Sequence, residues 1–383
     1  MEPSNAEVAT EDAIRLLRDG AEALPAMFDA IRAASREVLV EMYWLDSSPL
    51  GRELVALLED RARAGVSVRV LYDAIGSLGV DRAMYDGLLA AGGRVIEHNP
   101  IAPWRRRFRL TSVSQRDHRK IVLVDGRVAF VGGLNIGMEW APAERGGGGW
   151  RDDVAEVRGP ACARVRALFF DAWRKQGGDV PDDVAPRTRR QLVGIARREL
   201  SREGVTLLGH DAWGARRAIR RAYFSRINLA RRRVLLVNSY FVPDLRMLRA
   251  LHRAAKRGAE VRVILPKMSD VPAVTYASQA FYTWMLRRGI HVHEWTGPVL
   301  HAKSALIDDW ATTGSFNLDY RSLRYNLEAN VASSHPGFVA EMERSIRRDL
   351  AERCAPVDLE AWAARPWIDR ARAAFFYVFR ELL

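Results

Sequence analysis

The chain is short of three things. It has two cysteines, Cys162 and Cys354, in 383 residues. That is too few for a disulfide framework, and no Cys/His cluster has zinc spacing, so a reducing compartment fits. It has no apolar run of the roughly 18 to 20 residues that a spanning helix needs. Its opening stretch, MEPSNAEVATEDA, lacks the basic start and apolar stretch of a signal peptide. A lipid-directed activity would therefore work from the membrane surface. The third scarcity is lysine. Of 59 basic residues only Lys120, Lys175, Lys256, Lys267 and Lys303 are lysines.

What is present describes a globular protein: 48% hydrophobic and 28% charged residues, in a length that suits two domains or two fused halves. A net charge of +12 implies an anionic partner, with nucleic acid and an anionic membrane surface as the two classes. A solvated, arginine-rich surface accounts for the same charge.

Two of the five lysines stand in one repeated pattern. His118, Lys120 and Asp125 form H-x-K-x4-D, and His301, Lys303 and Asp308 repeat it. In a chain that otherwise uses arginine, lysine at both places indicates that a compact ammonium is needed there. The first copy is followed by Gly132-Gly133-Leu134-Asn135 and the second by Gly314-Ser315-Phe316-Asn317. The context repeats as well. Val40-Glu41-Met42-Tyr43-Trp44 and Val237-Asn238-Ser239-Tyr240-Phe241 each lead into a helical pattern closed by a glycine (Gly65, Gly258) and then a second strand. The chain is a tandem duplication of a βαβ-rich unit, which predicts an α/β fold.

These residues, with Trp150-Arg151-Asp152-Asp153 and the stretch 300–331, resemble the phospholipase D superfamily and its paired HKD motifs. Within it the chain is similar to bacterial cardiolipin synthases of the short type without transmembrane helices. The resemblance spans roughly residues 20–383. It implies a pseudo-two-fold pair of phospholipase D-like α/β sandwich domains sharing one active site. The predicted division is an N-terminal extension (1–19), a first half (20–180), a connector (181–205), a second half (206–350) and an amphipathic C-terminal segment (351–383).

The chemistry fits that reading. Alternation along a strand aims His118 with Lys120, and His301 with Lys303, at common targets. A phosphodiester repels nucleophiles. Two ammonium groups, with Asn135, Asn317 and Ser315 donating hydrogen bonds, would hold its oxygens without a metal or cofactor. The paired lysines would repel a divalent ion, and no His-x3-His or carboxylate cluster appears. One histidine would form a phosphohistidine while the other moves protons. The resemblance implies these roles, and His118 is the expected nucleophile. Each imidazole needs an orienting carboxylate. Asp152 is expected to serve the first half and Glu328 the second. Asp125 and Asp308, at Asp-Gly and Asp-Asp turns, are counted with the site as motif residues whose expected role is structural.

Other features carry less. Glu41, Tyr43 and Asp73 end strands that should face the cleft, where they would meet a glycerol headgroup or simply solvent. His291 and His293 belong to a strand nearing the site. The loop 141–149, with four consecutive glycines, is expected to be mobile and near the site, or a surface insertion. Arginine clusters (105–107, 216–217, 220–221, 231–233) read as solvated faces one by one. The tail, with Trp362, Trp367, Phe375, Phe376, Tyr377 and Phe379 among arginines, suits an interfacial helix on an anionic membrane, or one docked across the other half.

Three functions remain open on sequence: transfer of a phosphatidyl group from phosphatidylglycerol to a second phosphatidylglycerol, lipid hydrolysis with water as acceptor, and a nuclease. The first is preferred. It requires no nucleic acid and no obligate protein partner, and it predicts a peripheral protein on the cytoplasmic face of the bacterial cell membrane.

Overall fold

The computed structural model describes residues 11–101, 115–184, 204–209 and 218–379. In the first half the strands are Ala13–Arg18 (β1), Glu37–Met42 (β2), Ser67–Asp73 (β3), Arg94–His98 (β4), Lys120–Val124 (β5), Val128–Gly132 (β6) and Asp153–Arg158 (β7). They form one sheet in the order β1-β7-β6-β5-β2-β3-β4. In the second half they are Val205–Gly209 (β8), Arg233–Asn238 (β9), Glu260–Pro266 (β10), His291–Trp295 (β11), Lys303–Ile307 (β12), Trp310–Gly314 (β13), Ala329–Ser333 (β14) and Cys354–Pro356 (β15). Their order is β15-β11-β10-β9-β12-β13-β14-β8. Without the edge strand β15, the second order is the first read backwards, so the duplication is complete at the level of topology.

Both sheets are mixed. β2, β3 and β4 run parallel, as do β9, β10 and β11, and the glycine-closed helices between them are the expected crossovers. The motif strands β5 and β12 join antiparallel. Tight turns at Asp125-Gly126 and Asp308-Asp309 then pair each antiparallel with its successor, β6 and β13, as a hairpin must. The register sets Lys120 opposite Met42 and Lys303 opposite Asn238. The two halves therefore align one residue away from the sequence comparison. Ser239 takes the place of Tyr43, and Tyr240 that of Trp44.

Helices α1 (Asp19–Arg32), α2 (Pro49–Arg63), α3 (Ala161–Lys175), α4 (Ala218–Leu229), α5 (Leu245–Lys256), α6 (Pro272–Gln279), α7 (Pro336–Glu352) and α8 (Trp367–Val378) cover the sheets. Local sequence explains their limits. The hydroxyl of Ser48 accepts from the Gly51 amide before Pro49 opens α2. Asp244 accepts from the Met247 amide at 2.9 Å to open α5. Gly65 and Gly258, at φ of 85° and 89°, end the crossovers in a conformation that costs other residues more. One apolar core lies between the sheets with α3 and α7, and two others lie under the outer helices. The result is a layered α/β sandwich.

Three predicted boundaries shift. Residues 13–18, assigned to an N-terminal extension, are β1 and pair along β7. Residues 354–356, assigned to the tail, add β15 to the second sheet. Most of the connector lies outside the described residues, and β8 begins at Val205, its last position. The loop 141–149 is held by its own main chain. Gly148 donates to Met138 at 2.8 Å, Gly149 to Ala141 at 3.0 Å and Trp150 to Glu139 at 2.9 Å.

Candidate active site

The two halves meet through a pair of short bridges. Asp117 pairs with Leu327, and Arg151 with Leu300. His118 N donates to Leu327 O at 3.0 Å, and His301 N to Arg151 O at 2.8 Å. Each histidine sits just before its motif strand, which begins at the lysine. Each is thus hung by its own amide on the opposite half, immediately beside that half's carboxylate.

The carboxylates are consequently exchanged. Asp152 was expected to serve His118 and Glu328 to serve His301. Instead His118 Nδ1 lies 3.1 and 3.2 Å from the two oxygens of Glu328, and His301 Nδ1 lies 2.6 Å from Asp152 Oδ2. The cross-half bridges are the cause, because they place residue 327 next to 117 and residue 151 next to 300. With Nδ1–H donated to a carboxylate, Nε2 is the nitrogen left for chemistry in each ring.

Ser315 also departs from expectation. Its hydroxyl donates to Glu328 and accepts from Ala329 N at 3.0 Å, so it positions the carboxylate instead of facing a substrate oxygen. The matching residue in the first half is Gly133, where a Cβ would come within 2.1 Å of Asp152 Oδ1. A serine clamps the longer acid, and a glycine leaves room for the shorter one. Trp140 Nε1 completes the second set by donating to Asp152 Oδ2 at 3.0 Å.

Both histidines, with Asn135 and Asn317, line a cleft of about 420 Å³. Asn135 Oδ1 accepts from Trp44 N at 3.1 Å, and Asn317 Oδ1 from Ser239 Oγ at 2.9 Å. This leaves each NH2 group available to the cleft. Lys120 Nζ donates to His118 O at 2.6 Å, and Lys303 Nζ donates to His301 O. Each ammonium retains further N–H donors. Lys120 also lies 4.9 Å from the centre of the Tyr43 ring, which packs edge-on against His118 at 4.8 Å. His301 has a different wall, Trp140 at 5.2 Å and Trp150 at 5.9 Å, both brought there by the glycine loop.

Burial dominates the electrostatics. It pulls Lys120 down to about 7 and Lys303 to about 8. Burial and Lys120 push His118 down to about 4 against the pull of Glu328. His301 is lowered by burial and Lys303, against Asp152 and Asp270. Burial would raise the two carboxyls, but the facing imidazoles and lysines outweigh it. They hold Asp152 at about 2 and Glu328 below its ordinary range. Among the described residues no group of three or more His, Cys, Asp or Glu is placed to hold a metal ion.

Asp125 and Asp308 lie at the far ends of the motif strands. Asp125 accepts from the amides of Ser35, Arg36 and Glu37, and Asp308 from those of Arg231, Arg232 and Arg233, all at 2.7–3.2 Å. They anchor the chain as it enters β2 and β9. Glu41 pairs with buried Arg119 at 2.5 Å, and Asp73 accepts from the amides of Ile75, Gly76 and Asp117, so of the three strand-end residues only Tyr43 lines the cleft. His291 is exposed and His293 meets Arg262. Arg220 pairs with Asp244, Arg232 with Asp309 and Arg233 with Glu343. Arg105–Arg107, Arg216 and Arg217 lie outside the described residues. Sequence reasoning missed Trp140, Asp270, Asp319, Arg321 and Asn326, which also line the cleft. Asp319, Arg321 and Asn326 lie within the stretch 300–331 that carries the resemblance, but no spacing in it gave them a role, and Trp140 and Asp270 lie outside every repeat.

The tail docks, but not across the other half. Phe376 stacks on Tyr276 of α6 at 5.4 Å, Tyr377 meets Phe281 at 5.1 Å and Trp362 meets Tyr282 at 4.6 Å, all within the second half. The outer side of α8 leaves Trp367 (72%), Ile368 (60%) and Val378 (68%) exposed. No helix among the described residues is long and apolar enough to cross a membrane.

A family profile described as "Cardiolipin synthase, PLD-like domain" matches residues 27–140 and 223–350, one segment in each half. A cardiolipin synthase of Geobacillus sp. (strain WCH70) is 32% identical over 367 residues, which is 95% of this chain and 70% of the relative. Cardiolipin synthase A of Pseudomonas aeruginosa (strain LESB58) is 34% identical over 342 residues, 88% of this chain and 67% of the relative. Among solved structures, a phosphatidylserine synthase of Haemophilus influenzae Rd KW20 superposes with a TM-score of 0.71 at 15% identity, covering 97% of this chain and 95% of that one. A polyphosphate kinase of Porphyromonas gingivalis superposes at 0.61 and 14% identity, over 97% of this chain and 53% of that one. At such identities these two likenesses concern the fold alone.

Proposed function

We propose, for a chain that belongs to the cardiolipin synthase family with its phospholipase D-like domains, that the reaction is transfer of a phosphatidyl group from one phosphatidylglycerol to another. The observation that carries it is the convergence of both His-Lys-Asn sets on one cleft, with each imidazole held by a carboxylate on Nδ1.

The donor's phosphodiester lies between the two Nε2 atoms, its free oxygens held by Lys120, Lys303 and the NH2 groups of Asn135 and Asn317. His118 Nε2 attacks phosphorus and the bond to the glycerol oxygen breaks. That oxygen takes a proton from His301 Nε2, and glycerol leaves. An acceptor hydroxyl then returns its proton to His301 and attacks phosphorus, and the P–N bond breaks with its electron pair going back to the imidazole. The atoms balance as two phosphatidylglycerols giving cardiolipin and glycerol. The assignment of His118 as nucleophile is supported by the difference between the pairs. His301 is bound more tightly to its carboxylate, at 2.6 Å against 3.1 Å, which favours the protonated acid in the second half. The two lysines supply the charge that a metal would otherwise bring.

A peripheral seat on an anionic membrane at the cytoplasmic face completes the reading. Ile75 and Val271, from equivalent loops of the two halves, line the cleft, and Leu78 and Met268 stand exposed beside them at 74% and 57%. Together with the outer side of α8 they offer apolar groups that would enter a headgroup layer.

The test is lipid mass spectrometry of the purified protein with phosphatidylglycerol vesicles, with His301→Ala as control. Cardiolipin and glycerol, absent in the control, are expected. Phosphatidic acid alone would make water the acceptor. No lipid product would sink the reading.

A further inference from the structure

The catalytic groups repeat between the halves, but the residues just beyond the parallel strands do not. β3 ends at Asp73 and β10 at Pro266, in equivalent sheet positions. The fourth residue after each is Ser77 in one half and Asp270 in the other. Ser77 is buried and spends its hydroxyl on its own half, accepting from Leu45 N at 3.0 Å and donating to Tyr43 O at 3.2 Å. Asp270 lines the cleft with His301. Tyr240 Oη donates to its Oδ2 at 2.6 Å and Ser269 Oγ to its Oδ1 at 2.8 Å. Tyr240 lines the cleft too, at the place that Trp44 takes in the first half.

A carboxylate facing a cleft that must hold a phosphodiester is costly unless the bound molecule brings it positive hydrogens. It is ionised here: burial opposes this, but His301, Tyr240, Ser269 and Lys303 hold its pKa below the ordinary value. Each oxygen has one donor from the protein and a second lone pair directed elsewhere. Arg321 lines the same cleft and supplies a further positive group beside the two lysines, so the carboxylate is not needed to balance an ammonium and is open to hydroxyl donors. His301, which carries the proton to and from the alcohol oxygen in the reaction above, is the histidine near Asp270.

We infer that Asp270, braced by Tyr240, is the specificity residue for the vicinal hydroxyls of a glycerol headgroup, holding the acceptor alcohol against His301 in preference to water. The inference rests on the phosphatidylglycerol reading above and adds to it the reason the acceptor is a lipid alcohol. The second-half wall takes the polyol.

The experiment compares wild type, Asp270→Ala and Tyr240→Phe on phosphatidylglycerol vesicles and on bis(4-nitrophenyl) phosphate, a soluble diester without hydroxyls. Asp270→Ala is expected to lower the cardiolipin-to-phosphatidic acid ratio about 10-fold, the change that roughly 1.4 kcal/mol represents. Turnover of the aryl diester, which has no hydroxyl to hold, should fall by less than cardiolipin formation does. Tyr240→Phe should shift the ratio in the same direction by less, and it decides the matter if Asp270→Ala fails to fold. Glycerol added to the mixture should be consumed as acceptor by wild type better than ethanolamine, and the variants should lose that preference. An unchanged product ratio, or equal losses on both substrates, would overturn the inference while leaving cardiolipin synthesis by the wild type intact. A wild type that makes no cardiolipin would instead overturn the underlying reading, and this inference with it.

Discussion

His118 and Glu328 stand 210 positions apart, and a carboxylate oxygen of one lies 3.1 Å from Nδ1 of the other. His301 and Asp152 form the reciprocal pair at 2.6 Å. Every imidazole in the cleft therefore takes its orientation from the half that does not contain it. Neither half holds a complete histidine–carboxylate unit, so these units exist only when the two halves are closed on each other.

Replacing either histidine should end turnover without unfolding the chain. His118→Ala and His301→Ala are each expected to leave far-UV circular dichroism unchanged and to remove cardiolipin formation. Substantial activity in either would refute the shared site.

The exchanged carboxylates should matter nearly as much as the rings they hold. Glu328→Gln and Asp152→Asn keep shape but lose the charge that steadies an imidazolium. By analogy with other oriented histidines, kcat should fall about 10²- to 10⁴-fold. Ser315→Ala, which only frees Glu328, should cost less. Retention of full kcat in Glu328→Gln would show that His118 needs no carboxylate partner.

The pH profile follows from the buried lysines. Burial pulls Lys120 to about 7 and Lys303 to about 8 in the empty cleft. A lysine loses its charge as pH rises through its pKa, so kcat/KM on a soluble diester should fall between about pH 7 and 8. A bound phosphodiester anion stabilises the ammonium and raises both values. The fall in kcat should therefore come at higher pH. Coincident alkaline limbs for the two parameters would contradict this.

Asp125 illustrates a motif residue that acts on the fold. Asp125→Ala removes acceptors for three main-chain amides and a hydroxyl. At about 1 kcal/mol each, this should cost about 2–4 kcal/mol by urea unfolding, with far less effect on kcat than His118→Ala. Those hydrogen bonds, with burial opposing them, hold its pKa below the ordinary carboxylate value. This contribution is present above the unfolded-state pKa and lost as pH falls through the folded one. An equal collapse of kcat would return Asp125 to the chemistry.

The outer side of α8 gives a test of membrane seating that spares the fold. Trp367→Ser, Ile368→Ser and Val378→Ser combined leave Phe376 against Tyr276 and Tyr377 against Phe281. Sedimentation with phosphatidylglycerol vesicles should weaken by at least about 10-fold while soluble diester turnover holds. Parallel loss of both would make the helix structural only.

Much of this was legible in the sequence. The two H-x-K-x4-D copies and the asparagines after them marked the groups that meet in the cleft, and the glycine-closed crossovers marked the duplicated α/β plan. These are short-range signals, written in spacing and period. The sequence also named Asp152 and Glu328. What it could not contain was their partners, since pairing across the halves depends on the bridges at Asp117–Leu327 and Arg151–Leu300, and contacts at such separation leave no local period. The one-residue offset between the repeats, the redirection of Ser315 to Glu328 and the arrival of Asp270 in the cleft were hidden for another reason, because strand register and loop path within each half set them. Composition and spacing determined which groups this protein brings to the cleft. Only the tertiary structure, through strand register within each half and the packing of one half on the other, decided which of them touch.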